Sequence, residues 1–486
     1  MKTTRLLFVG LFLLCASLVF AAEAPKATVA VDNPAVVPAD HMDQNRWKER
    51  FELQCQRIKK GNVDLMMIGD SITHGWERKA DNYAVWDEFY GHRNALNFGI
   101  GGDRTEHVIW RLLNAPLDKI SPKMAVLMIG SNNIGHKSST PAQTVQGIKK
   151  IVSILKEKFP KMKILVLEVF PRGEKANDPM RLAVEEINAG LRKELVNIEN
   201  VELDSIGKYY LTADGTLPKD LMPDFLHPDA EGYLIWAKAM EAKIMEGLGE
   251  TPSAAVPDNQ NRNNIKWLRQ IFENEQAALN TGKGDLLFIG DSITNRWNLK
   301  TPRPPKFEYE HNGWSVWTGP LAKYNPINLG IDGDQTQHVL WRLENLDFSK
   351  VSPKMAVVLI GVNNTHGDNF KAGEVAFGIR KICQKVHEKC PKAKIVVLKV
   401  YPITTLTLKN GDPRQPRVDA LNDLIPYFLR DLSYVAIKDI NSVFQEKDRT
   451  ISKEIMPDRT HLSTEGYKRW ANALAPEFKQ IMGTAL

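Results

Sequence analysis

Two serines, two Asp-x-x-His pairs and two sets of glycine and asparagine turns recur in the same order along this chain, and together they are the parts of a serine-nucleophile hydrolase. Ser71 stands in MIGDSITHGW and Ser292 in FIGDSITNRW, each after an apolar run and a Gly-Asp step. A serine hydroxyl attacks nothing until a base takes its proton. The candidate bases are His227 and His461, in PDFLHPDAEGY and PDRTHLSTEGY, each three residues after an aspartate, Asp224 and Asp458. At that spacing a compact turn can fold the carboxylate back onto the imidazole Nδ1–H, fixing the tautomer and stabilising the imidazolium while Nε2 faces the serine. Acyl transfer also needs donors aimed at the oxyanion that develops. Gly102 and Gly333, in NFGIGGDRTEHVIWRL and NLGIDGDQTQHVLWRL, can bring a backbone N–H close to a substrate, and Asn132 and Asn363, in GSNN and GVNN, can add a side-chain amide. The N–H of the serine itself is a third donor.

Each motif alone has a plainer meaning. A serine there can cap the next helix, glycines serve turns, and asparagines bond their own loops. Recurrence decides the matter. Ser71 and Ser292 are 221 residues apart, and 30 residues separate both Gly102 from Asn132 and Gly333 from Asn363, which a shared site explains more simply than coincidence. Other repeated residues keep the plain meaning. Trp110 and Trp341 stand at helical spacing and read as core aromatics. His107 and His338 have no carboxylate before them at the useful spacing and read as structural, and Asp70 and Asp291 read as braces of the serine turn.

The elements that must position these turns follow from hydrophobic pattern. Leu65 to Ile68, Ala125 to Ile129 and Ile164 to Val169 are apolar with little alternation, as strands covered on both faces are; Leu286 to Ile289, Ala356 to Ile360 and Ile395 to Val400 repeat them. Helical periodicity falls at Thr105 to Asn114, Pro141 to Phe159, Met180 to Asn197 and Asp229 to Glu246. This alternation predicts an α/β fold with a parallel sheet and helices on both sides, in which ligands sit beyond the carboxyl ends of the strands. All the repeated turns fall there.

The chain of 486 residues divides accordingly. Residues 1–24 read as an export signal: Lys2 and Arg5 precede the apolar stretch Leu6 to Phe20, and Ala21, Ala22 and Ala24 offer cleavage sites. An extended leader is expected at 25–42, a first domain at 43–246, a Gly- and Pro-containing linker at 247–262, and a second domain at 263–486. A secreted or periplasmic location follows, with no stable membrane insertion after cleavage. The net charge of +6 is dispersed, which argues against a nucleic-acid partner. Metal-ligand spacing, a P-loop and a dinucleotide fingerprint are all missing, so no cofactor and no metal are expected. Cys55, Cys383 and Cys390 read as buried or free thiols.

The four blocks resemble the SGNH, or GDSL, hydrolase family, and NFGIGGDRTEHVIWRL with GSNN is most similar to its branch of platelet-activating-factor acetylhydrolase catalytic subunits. The resemblance covers Asn45 to Glu246 and Asn263 to the C-terminus. It implies two tandem flavodoxin-like three-layer α/β/α domains. It also implies nucleophiles at Ser71 and Ser292, oxyanion donors at Gly102, Asn132, Gly333 and Asn363, and the pairs Asp224–His227 and Asp458–His461. Many family members have Asn-Asp where this chain has Asn132-Asn133 and Asn363-Asn364; the branch shares that change. Exported relatives of the branch resemble acetyl esterases of decorated carbohydrates, so the expected substrate is a small-molecule or glycan ester. The alternatives are a lipid or phospholipid acylhydrolase and a silent glycan-binding scaffold. The second copy has 41 residues from serine to glycine against 31 in the first, and the extra segment, around Trp297 to Trp317, reads either as a sugar-binding rim or as an ordered loop.

Overall fold

A computed structural model describes residues 33–259, 262, 264–300, 312–367, 369–403, 414–447 and 450–484. The export signal expected at 1–24 and the first part of the leader lie outside them. Each half holds one five-stranded, wholly parallel sheet. The first contains β1 (Leu65–Gly69), β2 (Ala95–Gly99), β3 (Met124–Met128), β4 (Lys163–Leu167) and β5 (Val201–Asp204) in the spatial order β2-β1-β3-β4-β5. The second repeats it with β6 (Leu286–Gly290), β7 (Pro326–Gly330), β8 (Met355–Leu359), β9 (Lys394–Leu398) and β10 (Val435–Lys438), ordered β7-β6-β8-β9-β10. The strand order reverses beside β1 and β6, the place where doubly wound sheets open a crevice.

The near-continuous apolar runs of β1 and β3 are explained by the two faces. Met66, Ile68, Ala125 and Leu127 pack with Ile58, Val108, Ile148 and Val184, from helices Asn45–Lys59, Thr105–Asn114, Pro141–Lys158 and Pro179–Glu194. Leu65, Met67, Met124 and Val126 point the other way, onto Trp86, Tyr90, Trp236 and Met240 of helices Ala80–Tyr90 and Ala230–Leu248. The helix Pro141–Lys158 shows how local signals set an element. Thr140 and Gln143 form a reciprocal capping box, Pro141 occupies the first turn, and Val145, Ile148, Val152 and Leu155 line one buried stripe.

The leader and linker turn out to be equivalent pieces of the two domains. From Asn33 the chain is seated on the first domain, where buried Ala35 accepts a hydrogen bond from Thr105 Oγ1 at 2.9 Å. In the linker, buried Ala254 accepts one from Thr336 Oγ1 at 2.6 Å. The two domains pack through helices Ala230–Leu248 and Gln415–Leu429. Ala242 and Met245 enter the second domain's core, and Tyr427 lies against Tyr209 with ring centroids 5.1 Å apart. Arg380 bridges Glu246 and Asp431 at 2.9 and 2.6 Å, and Arg430 pairs with Asp204.

Of the extra segment in the second copy, residues 301–311 lie outside the described part. Trp297 belongs to the core rather than to a rim: it is 1% exposed and packs on Tyr467 and Trp470 at 4.6 and 4.8 Å. Trp76 does the same with Tyr233 and Trp236 in the first domain. At this one position, then, the Trp serves packing in both domains.

Candidate active sites

Ser71 begins a short helical turn directly after β1, and His227 comes from the loop before helix Ala230–Leu248, 156 residues later. The two meet: Ser71 Oγ lies 2.8 Å from His227 Nε2, and His227 Nδ1 lies 2.7 Å from Asp224 Oδ2. In the second domain Ser292 Oγ is 2.7 Å from His461 Nε2, and His461 Nδ1 is 2.7 Å from Asp458 Oδ2. With the proton on Nδ1, each imidazole donates to its carboxylate and presents Nε2 as acceptor to the serine O–H.

The Asp-x-x-His turn is built by its own aspartate. Asp224 Oδ1 accepts the N–H groups of Leu226 and His227 at 3.1 and 2.7 Å, and Asp458 Oδ1 accepts those of Thr460 and His461 at the same distances. To close that tightly, Phe225 and Arg459 take left-handed backbone conformations, φ +56° and +70°. Such conformations cost energy in a residue with a Cβ and collect at functional turns. Burial alone would raise the Asp224 carboxyl, but the His227 side chain and the turn's N–H groups outweigh it and hold the group below its usual value.

On the serine side, Asp70 Oδ1 accepts the Ile72 N–H and Asp291 Oδ1 that of Ile293, both at 2.9 Å. Both aspartates are fully buried, and burial raises each carboxyl to about 7. Tyr233 clamps the far side of the turn, its O–H donating to Ile72 O at 2.7 Å, and Tyr467 repeats the bond to Ile293 O. Those tyrosines belong to the repeated Glu-Gly-Tyr sequences that follow the histidines, a signal that sequence reasoning passed over as a helix start.

The glycine and asparagine turns are tied to each other. Gly102 and Gly333 have φ +83° and +76°, which a glycine adopts without strain. Asn132 Nδ2 donates to Asp103 O at 2.9 Å and Asn363 Nδ2 to Asp334 O at 2.9 Å, leaving each amide a second N–H. The neighbouring asparagine accounts for Asn-Asn in this chain: Asn133 Oδ1 accepts the Thr105 N–H at 3.1 Å while its Nδ2 donates to Thr105 Oγ1, and Asn364 does the same at Thr336. A carboxylate lacks that donor.

Beneath the glycine turn lies a buried network that sequence reasoning also missed. Asp103 accepts Trp47 Nε1–H at 2.6 Å and pairs with Arg111 at 2.7 Å; Arg111 in turn donates to Phe98 O and Gly69 O, at the ends of β2 and β1. Trp267, Asp334, Arg342, Leu329 and Gly290 reproduce it in the second domain, where Glu275 adds a further carboxylate to Arg342. Asp103 and Arg111 are both 0% exposed. The repeated Asp and Arg of GGDRTEHVIWR and DGDQTQHVLWR were the available signal.

The two sites differ electrostatically. The Asp224 side chain is 57% exposed and that of Asp458 16%. Arg296, at the position of Gly75, places Nη1 3.5 Å from Asp458 Oδ2. Burial lowers the His461 pKa, Arg296 adds to the lowering, and Asp458 opposes it. Among the described residues no group of His, Cys, Asp or Glu is arranged to hold a metal ion, and no helix is long and apolar enough to cross a membrane. Cys55, Cys383 and Cys390 are unpaired. The geometry therefore places a hydrogen-bonded Ser–His–Asp chain beyond the carboxyl end of the central strand in each half.

The chain matches the GDSL-like Lipase/Acylhydrolase family over residues 67–235 and 288–469. Platelet-activating factor acetylhydrolase IB subunit alpha2 of Rattus norvegicus is 38% identical to it over 226 residues, 45% of this chain and 94% of that protein. Subunit alpha1 of the Homo sapiens protein is 31% identical over 229 residues, 46% of this chain and 96% of that one. Among solved structures, a GDSL-like lipase from Bacteroides thetaiotaomicron aligns at 18% identity and a TM-score of 0.34, over 42% of this chain and 97% of that one. By the family match, which spans most of each half, the chain belongs to the GDSL-like lipase/acylhydrolase family and is a GDSL-type esterase in two tandem copies.

Proposed function

We propose that each domain hydrolyses acyl esters at its own site, and that the protein works outside the cytoplasm, secreted or periplasmic, removing small acyl groups, acetyl foremost, from carbohydrate esters. The observation that carries the two-site reading is the unbroken chain from Oγ through Nε2 and Nδ1 to a carboxylate oxygen, formed once at Ser71 and once at Ser292. Serine Oγ attacks the ester carbonyl while the imidazole takes its proton. The oxyanion that forms is held by the serine N–H, the Gly102 or Gly333 N–H and the second amide N–H of Asn132 or Asn363. The imidazolium, stabilised by its aspartate, gives the proton to the departing alcohol, and the same base then activates water to release the acid.

The substrate reading is supported by the N-terminal export pattern at 1–24 and by the acetylhydrolase names of the relatives. Acetate release by the full chain from acetylated xylan, O-acetylated sialic acid and p-nitrophenyl acetate, set against platelet-activating factor, tests it. Higher kcat/KM on the carbohydrate esters is expected; a preference for platelet-activating factor contradicts the carbohydrate assignment.

A further inference from the structure

The loop after β4 is where the two halves part. Arg172, in VFPRG, stands where the second domain has Ile403, in VYPIT. Arg172 Nη1 donates to Ser131 O at 3.0 Å and lies 3.4 Å from Ser131 Oγ, so the guanidinium rests on the turn that carries Asn132. The next residue, Gly173, donates its N–H to Phe225 O at 3.0 Å, inside the Asp224–His227 turn. Arg172 thus touches the asparagine turn through its side chain and adjoins the histidine turn through the next residue's backbone, close enough for Asp70, beside Ser71, to feel its charge. Arg181 holds this backbone in place, donating to Arg172 O and Gly173 O at 3.1 and 2.6 Å.

Room for the guanidinium comes from Gly135, where a Cβ would overlap it. The second domain has His366 at that position and a buried Ile403, so the pair Gly135/Arg172 is replaced as a unit. Further along that turn Arg417 donates to Thr365 O at 3.2 Å and Arg414 lies 2.7 Å from His366 Nε2. The arginines at the second site's histidine and glycine turns are each beside a carboxylate, Arg296 at Asp458 and Arg262 at Asp334, both at 3.5 Å.

Charge pairing sets Arg172 apart from its neighbours. Arg111 pairs with Asp103 and Arg104 with Glu106, each at 2.7 Å. Among the described residues no carboxylate lies within 4.0 Å of the half-buried Arg172 guanidinium. A guanidinium has five N–H donors in a planar fork suited to a carboxylate, and partial burial strengthens that attraction. We propose that Arg172 is a specificity-determining residue that binds a carboxylate on the alcohol part of the substrate, so that the first domain prefers esters of acidic hydroxy compounds and the second domain does not. This rests on Ser71 being the nucleophile of the first site.

The test uses the full chain with Ser292→Ala, so that only the first domain turns over, on an acetylated methyl glucuronoside and on its uncharged methyl ester. The acid is expected to have the higher kcat/KM by on the order of tenfold, mainly through KM, as a charge-assisted contact gives. Arg172→Gln is expected to bring the acid-to-neutral ratio to about one, and Arg172→Lys to restore part of it. Free glucuronate should competitively inhibit the chain that keeps Arg172, less strongly as salt rises, a measurement that needs no Arg172 variant. Equal rates on acid and neutral ester, a ratio unmoved by Arg172→Gln, or an equal preference in the Ser71→Ala chain overturns the proposal. A stronger preference for a phosphate monoester overturns the carboxylate assignment. No turnover of any ester by the Ser292→Ala chain overturns the reading of Ser71, and this inference with it.

Discussion

Arg296 stands 3.5 Å from the Asp458 oxygen that also receives the His461 Nδ1–H, while the first domain has Gly75 in its place. One carboxylate therefore serves an imidazole and a guanidinium in the second site and an imidazole alone in the first, among the described residues. Both burial and Arg296 disfavour the imidazolium of His461. Activity requires the neutral base and is lost as pH falls through its pKa, so a lowered pKa extends the second site's activity toward acid.

Removing that cation should reverse part of the effect. In a Ser71→Ala chain, Arg296→Gly is expected to move the acidic limb of kcat/KM upward by roughly half a pH unit or more, as the loss of one nearby like charge allows. The pH profile of p-nitrophenyl acetate hydrolysis checks it; a limb that stays in place or moves down rules out this role for Arg296.

The division of labour within a site can be read from two variants in a Ser292→Ala chain. His227→Ala is expected to lower kcat by about 10⁶-fold and Asp224→Asn by about 10⁴-fold, the pattern of other Ser–His–Asp hydrolases in which the acid only orients and stabilises. Single-turnover kinetics distinguish the two. Equal losses would mean that Asp224 does more than hold the ring.

Stability of the first domain should depend on the pair Asp103–Arg111, since both groups are out of water. Arg111→Met leaves a buried, unpaired carboxylate and is expected to cost about 3–5 kcal/mol, whereas Arg111→Met combined with Asp103→Leu should cost less than the single change. Calorimetry of the full chain measures both. An additive cost would show that the two residues are not coupled.

Much of this was legible in the sequence because the chemistry repeats. The helix Thr105–Asn114 has the predicted limits, and β1, β3 and β4 fall within a residue or two of the apolar runs. The strand before the Gly102 turn, Ala95–Gly99, is implied by the sequence without limits, and Val201–Asp204 does not stand out as a strand at all. The first carries a buried Asn97, whose amide donates to Thr73 O at 3.0 Å, and the second is an edge strand with only one fully buried residue. Trp297 was ambiguous because nothing in its own segment reveals Tyr467 and Trp470, more than 150 residues away. The matched contacts of Ala35 with Thr105 and Ala254 with Thr336 escaped notice for the same reason: PAVVP and SAAVP are too short to stand out, and their partners lie far along the chain.

The central claim, two independent serine nucleophiles, is tested most directly by labelling the full chain with a fluorophosphonate and weighing the intact product. Two adducts on the wild type, one on each of Ser71→Ala and Ser292→Ala, and none on the double variant are expected. Loss of all label from one single variant, or label retained by the double variant, would contradict the account.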